Sequence, residues 1–227
     1  IMDDVELRDT SAEWTAIGVA GPQAAALLRG LGVELPSMDS KDSGIVTSSI
    51  AGITVQIVIT RSGNTPQFEL WFAPQHVASI WNLLKDAGAE PCGSMAVEAL
   101  RILHAVPLYG VDLLERDLPQ EANQPHALNF TKGCYLGQEI VERIRSRGNV
   151  HRRLVQFTLS SMPAQLPAEL SAAGQAAGRI TSATEWNGIV YALGMDRVET
   201  LDRRVALEYK EGTATLVTES PVSGSHA

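Results

Sequence analysis

Cysteine is scarce: Cys92 and Cys134 are the two in 227 residues. Two thiols make no disulfide framework, and neither belongs to a CxxC pair, so a reducing compartment is the simpler setting and the bacterial cytoplasm the expected location. Aromatic residues are few, at 5%. No run approaches the roughly 18 consecutive apolar residues that span a bilayer, so no membrane partner is expected. The acidic start, Ile1-Met2-Asp3-Asp4, is no signal peptide. Positive charge is in the minority, with 18 Lys and Arg against 26 Asp and Glu and a net charge of −8. That balance excludes nonspecific nucleic-acid binding by the whole surface while leaving room for a local basic patch. His76, His104, His126, His151 and His226 stand apart without metal-ligand spacing. With no P-loop and no GxGxxG after a strand, neither a metal site nor a nucleotide site is expected.

What remains is an aliphatic chain of one or two domains. Trp14 to Ala20 reads as a buried strand, and Gly21-Pro22 opens a helix over Ala24 to Leu31. Gly44 to Thr60 reads as two strands joined at Ala51-Gly52, and Gln67 to Ala73 as a third. Pro74 opens a helix with Val77, Ile80, Trp81 and Leu84 on one apolar face, ended by Gly88. Ala96 to Ala105 reads as a further helix with Val97, Leu100 and Leu103 or His104 inward. A long polar loop from Leu108 to Thr131 follows, of the length that is often functional. After Val150, short strands separated by Pro and Gly turns indicate a small antiparallel barrel or sandwich. The expected division is an α+β core over 1–150, with a strand-and-helix subdomain at about 40–92, a β-barrel over 151–218 and a disordered tail over 219–227.

The chemistry concentrates in Lys132-Gly133-Cys134-Tyr135-Leu136-Gly137-Gln138-Glu139. Free cysteines are commonly small buried hydrophobes. Here Gly133 and Gly137 permit close backbone approach, and a helix over Leu136 to Ile144 places Cys134 near an N-terminus, where Lys132 also favours the thiolate. Cys92, in a turn after Pro91, reads as structural. The basic run Arg143, Arg145, Arg147, Arg152 and Arg153 is either a solvated helix face with a Glu139–Arg143 pair or a site for an anion. Arg101 either snorkels or reaches a carboxylate. Tyr109 reads as a packed tyrosine, and Asp112 and Glu121 as solvated unless the loop closes on a ligand.

The cysteine stretch resembles the signature of the YgfZ family of folate-binding proteins, relatives of the glycine-cleavage T-protein aminomethyltransferases. The resemblance extends through Glu98-Ala99-Leu100-Arg101-Ile102, Pro107-Leu108-Tyr109-Gly110-Val111-Asp112, Leu118-Pro119-Gln120-Glu121-Ala122, Arg145-Ser146-Arg147-Gly148 and Gly178-Arg179-Ile180-Thr181-Ser182. It implies a T-protein-like fold of mixed α/β subdomains around a folate pocket, with a C-terminal antiparallel barrel. It implies tetrahydrofolate or a derivative as cofactor, iron–sulfur client proteins as partners and an indirect link to tRNA thiolation. Cys134 is then the essential residue, and Arg101, Tyr109 and Glu121 fall near the pterin. Two departures from the aminomethyltransferases bear on activity. Gly63-Asn64-Thr65-Pro66-Gln67 stands where they carry a Gly-Glu-Asp-Gly run, and they lack the cysteine signature. The resemblance further implies an N-terminal segment ahead of Ile1, so the expectation is either a fragment or a folate pocket open on one side. The resemblance thus favours an accessory protein for iron–sulfur enzymes over a tetrahydrofolate-dependent one-carbon transferase, with a non-catalytic tRNA- or protein-binding module as a third reading.

Overall fold

A computed structural model of the chain describes residues 5–35, 45–60, 65–148, 150–203, 205–218 and 221, the side chain of Arg147 excepted. The chain divides into two compact units, one reaching Cys92 and one beginning at Gly93. The change of composition near 150 falls inside the second unit.

The first unit is an antiparallel sheet with two helices. Its strands are β1 (Thr15–Ala20), β2 (Ile45–Ile50), β3 (Ile53–Ile59) and β4 (Gln67–Phe72), in the order β1-β4-β3-β2. Alternation puts Val55, Ile57, Phe68, Leu70 and Phe72 on one face, where each is essentially fully buried. Leu28 of α1 (Ala24–Gly30) and Ile80 and Leu84 of α2 (Val77–Asp86) close over them. The expected apolar face of α2 is correct for Ile80 and Leu84 but too wide: Val77 and Trp81 are 41% exposed. The loop at 61–64 lies outside the described residues, as does most of the tail expected to be disordered.

The second unit is built on a closed six-stranded barrel, β10-β5-β8-β7-β6-β9, every pairing antiparallel. Its strands are β5 (Arg152–Leu159), β6 (Ala168–Ala172), β7 (Gln175–Trp186), β8 (Ile189–Arg197), β9 (Leu207–Tyr209) and β10 (Gly212–Leu216). Asn187-Gly188, both at positive φ, make the two-residue turn between β7 and β8. Phe157, Leu170, Ile180 and Ala192 fill the interior. β9 and β10 are joined by a turn at Lys210 and Glu211, across which Tyr209 pairs with Gly212.

Before the barrel come α3 (Ser94–Leu103) and α4 (Gln138–Arg147). The packing face of α3 carries Ile102 and Leu103, which meet Tyr191 and Leu193 on the outside of the barrel. Leu103 and His104 are buried as expected, whereas Val97, nearer the start of the helix, is 59% exposed and Leu100 only partly buried. Gln156 of β5 reinforces the junction, its amide donating to the carbonyls of Ile102 and Leu103 at 2.6 and 3.1 Å.

Candidate functional site

The polar loop after α3 is held by two buried carboxylates rather than left in solvent. Asp112 is 0% exposed. Its Oδ2 accepts from Arg101 Nη1 at 2.7 Å and from the Leu108 backbone N–H at 2.8 Å. Its Oδ1 accepts from the hydroxyls of Thr181 and Ser182 on β7 at 2.5 and 2.7 Å. Arg101 also donates to Ser182 Oγ at 2.7 Å and grips Glu98 one helical turn back. Each lone pair that burial denies to water thus has a protein partner, which is the condition for a buried charge to be tolerated. Arg101 therefore reaches a carboxylate, the second of the two readings left open for it.

The second carboxylate is Glu121, 4% exposed. Arg152 at the start of β5 holds both its oxygens, Nε on Oε1 at 3.2 Å and Nη2 on Oε2 at 3.0 Å. Oε2 also accepts from the Leu118 N–H at 3.0 Å, and Arg152 Nη2 reaches Asp117 at 3.3 Å. The Glu121 carbonyl takes the Leu154 N–H at 2.8 Å, so this loop continues the hydrogen bonding of β5. The expectation of solvated Asp112 and Glu121 is corrected: the loop closes on arginines of its own chain. Tyr109 is corrected in the opposite sense, being 71% exposed at the tip of the turn rather than packed.

The cysteine stretch is arranged differently from its expected form. α4 starts at Gln138, with Gly137 as its N-cap at φ +90°. Cys134 lies ahead of that cap, in an extended exposed segment outside the first turn of the helix. The glycine cap explains the delayed start, since a left-handed residue breaks the helical path. Gln138 Oε1 accepts from the Tyr135 N–H at 3.2 Å, and Lys132 lies 4.4 Å above the Tyr135 ring. The aromatic face thus holds the ammonium beside the cysteine loop. Gly133 has ordinary φ and no atom within 4 Å of a built Cβ, so no close approach explains it. Glu139 is exposed. Cys92, read as structural, is exposed, its thiol 3.5 Å from the Glu90 carbonyl oxygen.

Two arginines of the basic run are paired with acids. Arg152 is committed to Glu121 and Asp117. Arg145 pairs with Glu142 at 3.4 Å and lies over Phe130 at 4.5 Å. The expected Glu139–Arg143 pair gives way to this i,i+3 pair. Arg143 is exposed, Arg153 is half-buried without an ion pair among the described residues, and the side chain of Arg147 lies outside them. The site therefore unites Arg152 with Glu121 and, separately, Arg101 with Asp112. Thr181, Ser182 and Asp117 were not expected in it. No local spacing signals contacts some 70 residues apart; only the Gly178–Ser182 match pointed toward that strand. Among the described residues no group of three or more His, Cys, Asp or Glu is placed to hold a metal, and no helix is long and apolar enough to cross a membrane.

The chain is similar to known proteins. The chain is 30% identical over 223 residues to an aminomethyltransferase of Rubrobacter xylanophilus, covering 96% of this chain and 57% of that protein. It is 32% identical over 163 residues to an aminomethyltransferase of Symbiobacterium thermophilum, covering 68% of this chain and 43% of that protein. The chain thus spans about half the length of the curated relatives it matches. The glycine cleavage system aminomethyltransferase T of Bartonella henselae shares the fold, with a TM-score of 0.73 over 92% of this chain and 59% of that one at 20% identity. The family model described as the GCVT N-terminal domain matches residues 1–132. Through that match the chain belongs to the GCVT domain family, with the mixed α/β, barrel-bearing fold of the T-proteins.

Proposed function

We propose that the chain is the folate-handling part of a tetrahydrofolate-dependent one-carbon transferase related to the aminomethyltransferases. The observation that carries this is the two-pronged hold of Arg152 on the buried Glu121. A guanidinium presents two parallel N–H donors, and the pyrimidine edge of a pterin presents the same fork through its ring N–H and 2-amino group. A carboxylate placed for one suits the other. Arg152, whose side chain is 38% exposed, would swing toward solvent as the pterin takes its place, while Glu121 stays held by the Leu118 N–H. Glu121 would hold the pterin edge, and the Arg101–Asp112 pair would keep the Leu108–Asp112 turn in place beside it. When bound, tetrahydrofolate supplies nitrogen acceptors for a one-carbon unit. The aminomethyltransferase names of the relatives favour this reading over the accessory role that the cysteine resemblance suggests.

Two variants test it. Titration with 5-formyltetrahydrofolate, followed by tryptophan fluorescence, should show Glu121→Gln binding about tenfold to a hundredfold more weakly than the parent chain. Arg152→Gln, which removes the competing fork, should bind as well or better. Equal loss in both variants would mean that the pair is structural only. Formation of methylenetetrahydrofolate from an aminomethyl donor then tests transfer itself.

A second reading rests on a different observation, the exposure of Cys134 in its glycine-framed loop. In that reading the chain is a YgfZ-type accessory protein for iron–sulfur enzymes, including those that thiolate tRNA, and Cys134 is its reactive group. Cells lacking a relative, supplied with the parent chain or with Cys134→Ala, would be compared for activity of a tRNA-thiolating enzyme. Equal rescue by both removes the cysteine from the mechanism.

A further inference from the structure

The second unit contains a cleft of about 400 Å³ that involves neither Glu121 nor Arg152. It lies where β5 runs on beyond its pairing with β10, between the end of α3 and residues 216–218. Its polar lining is unusual in what it leaves unpaired. His104 is 9% exposed, and both ring nitrogens lack a hydrogen-bond partner among the described residues. Arg153 has a buried Nε without a partner and forms no ion pair among the described residues. Successive residues of a strand point to opposite sides, so Arg153 faces away from the Glu121 that its neighbour Arg152 holds. Gln156, also in the wall, has its amide committed to the carbonyls of Ile102 and Leu103. The remaining wall is mixed, with Leu103, Leu216 and Val217 on its apolar part and Asn123, Gln124 and Thr218 among its polar residues.

A half-buried guanidinium without a counter-ion is costly, and so is a buried imidazole without a partner. One outside group relieves both: an oxygen anion that takes the guanidinium fork and accepts the imidazole N–H. We infer that this cleft binds a small monocarboxylate through Arg153 and His104, with its apolar body against Leu103, Leu216 and Val217. One fixed positive charge matches a monoanion; a phosphate dianion would leave a charge uncompensated. The volume, at the lower end of the range of small-molecule sites, has room for a carboxylate of a few carbons. Both ring nitrogens of His104 are shielded from solvent, so the ring must turn for its N–H to reach the oxygen.

The test uses the full chain with histidine labelled at ring carbon, in NMR titrations at constant ionic strength. His104→Gln identifies the His104 signal. Sodium isobutyrate should shift that signal saturably, and acetate more weakly. Arg153→Gln should weaken isobutyrate binding about tenfold or more while the thermal transition stays cooperative. Absence of a saturable shift, or an equal shift in Arg153→Gln, overturns the site. Inorganic phosphate binding as tightly as isobutyrate overturns the monocarboxylate assignment.

Discussion

At the scale of the residue, the molecule turns on carboxylates buried against arginine. Replacing Asp112 by alanine would strand Arg101, whose side chain is 12% exposed, and the hydroxyls of Thr181 and Ser182. Removing one partner of a buried pair costs about 3–5 kcal/mol, so the urea midpoint of Asp112→Ala should fall steeply. Asp196 offers a contrasting case. It is fully buried with Oδ2 unpartnered among the described residues, and burial raises its carboxyl to about 6, against the lowering effect of the Arg197 N–H and charge. Its folded value lies above the ordinary 3.8. The folded state therefore binds the proton more tightly, and the stability this contributes is complete below about 4 and lost as pH rises through about 6. Melting temperatures across that window should fall less for Asp196→Asn than for the parent. Burial lowers His104, which acts oppositely: stability falls as pH drops below 6.5 and its unfolded form takes up a proton.

At the scale of the element, much was legible because it is local. Alternation in Val55, Ile57, Phe68 and Leu70 marks one face of a sheet, and Pro74 and Gly88 bracket α2 whatever surrounds them. What escaped was set by distant partners. The anchoring of Arg101 depends on distant Asp112 and Ser182, and the start of α4 depends on the Gly137 cap rather than on hydrophobic spacing. Strand β6, rich in Ala and flanked by Pro167, has no periodic signal strong enough to show itself. Glycines separate the two kinds of constraint. A Cβ on Gly178 would stand 2.3 Å from the Met195 carbonyl oxygen and 2.8 Å from Asp196 Cα, both backbone atoms. Gly178→Ala should therefore cost about 1–3 kcal/mol or more, seen as a lower melting temperature. Gly137→Ala should cost about 1–2 kcal/mol through its left-handed φ alone. Gly133→Ala, with open space and ordinary φ, should leave the melt unchanged within about 0.5 kcal/mol.

At the scale of the whole molecule, the two units have separate cores, one between the sheet and α1 and α2, the other inside the barrel. A fragment from Gly93 onward should therefore unfold cooperatively by itself, as followed by far-ultraviolet circular dichroism; a non-cooperative melt would show that it needs residues before Gly93. The two β layers also end differently. The barrel closes on itself, so each of its strands has two neighbours, whereas β1 and β2 have one each within their sheet. Chain closure removes the sites where a stranger's backbone can add, and an open ladder keeps them. β2 reads Ile-Val-Thr-Ser-Ser-Ile, with neither proline nor charge to discourage such pairing. During refolding at high concentration, fibrillar by-products should therefore nucleate on the first unit while the barrel stays monomeric.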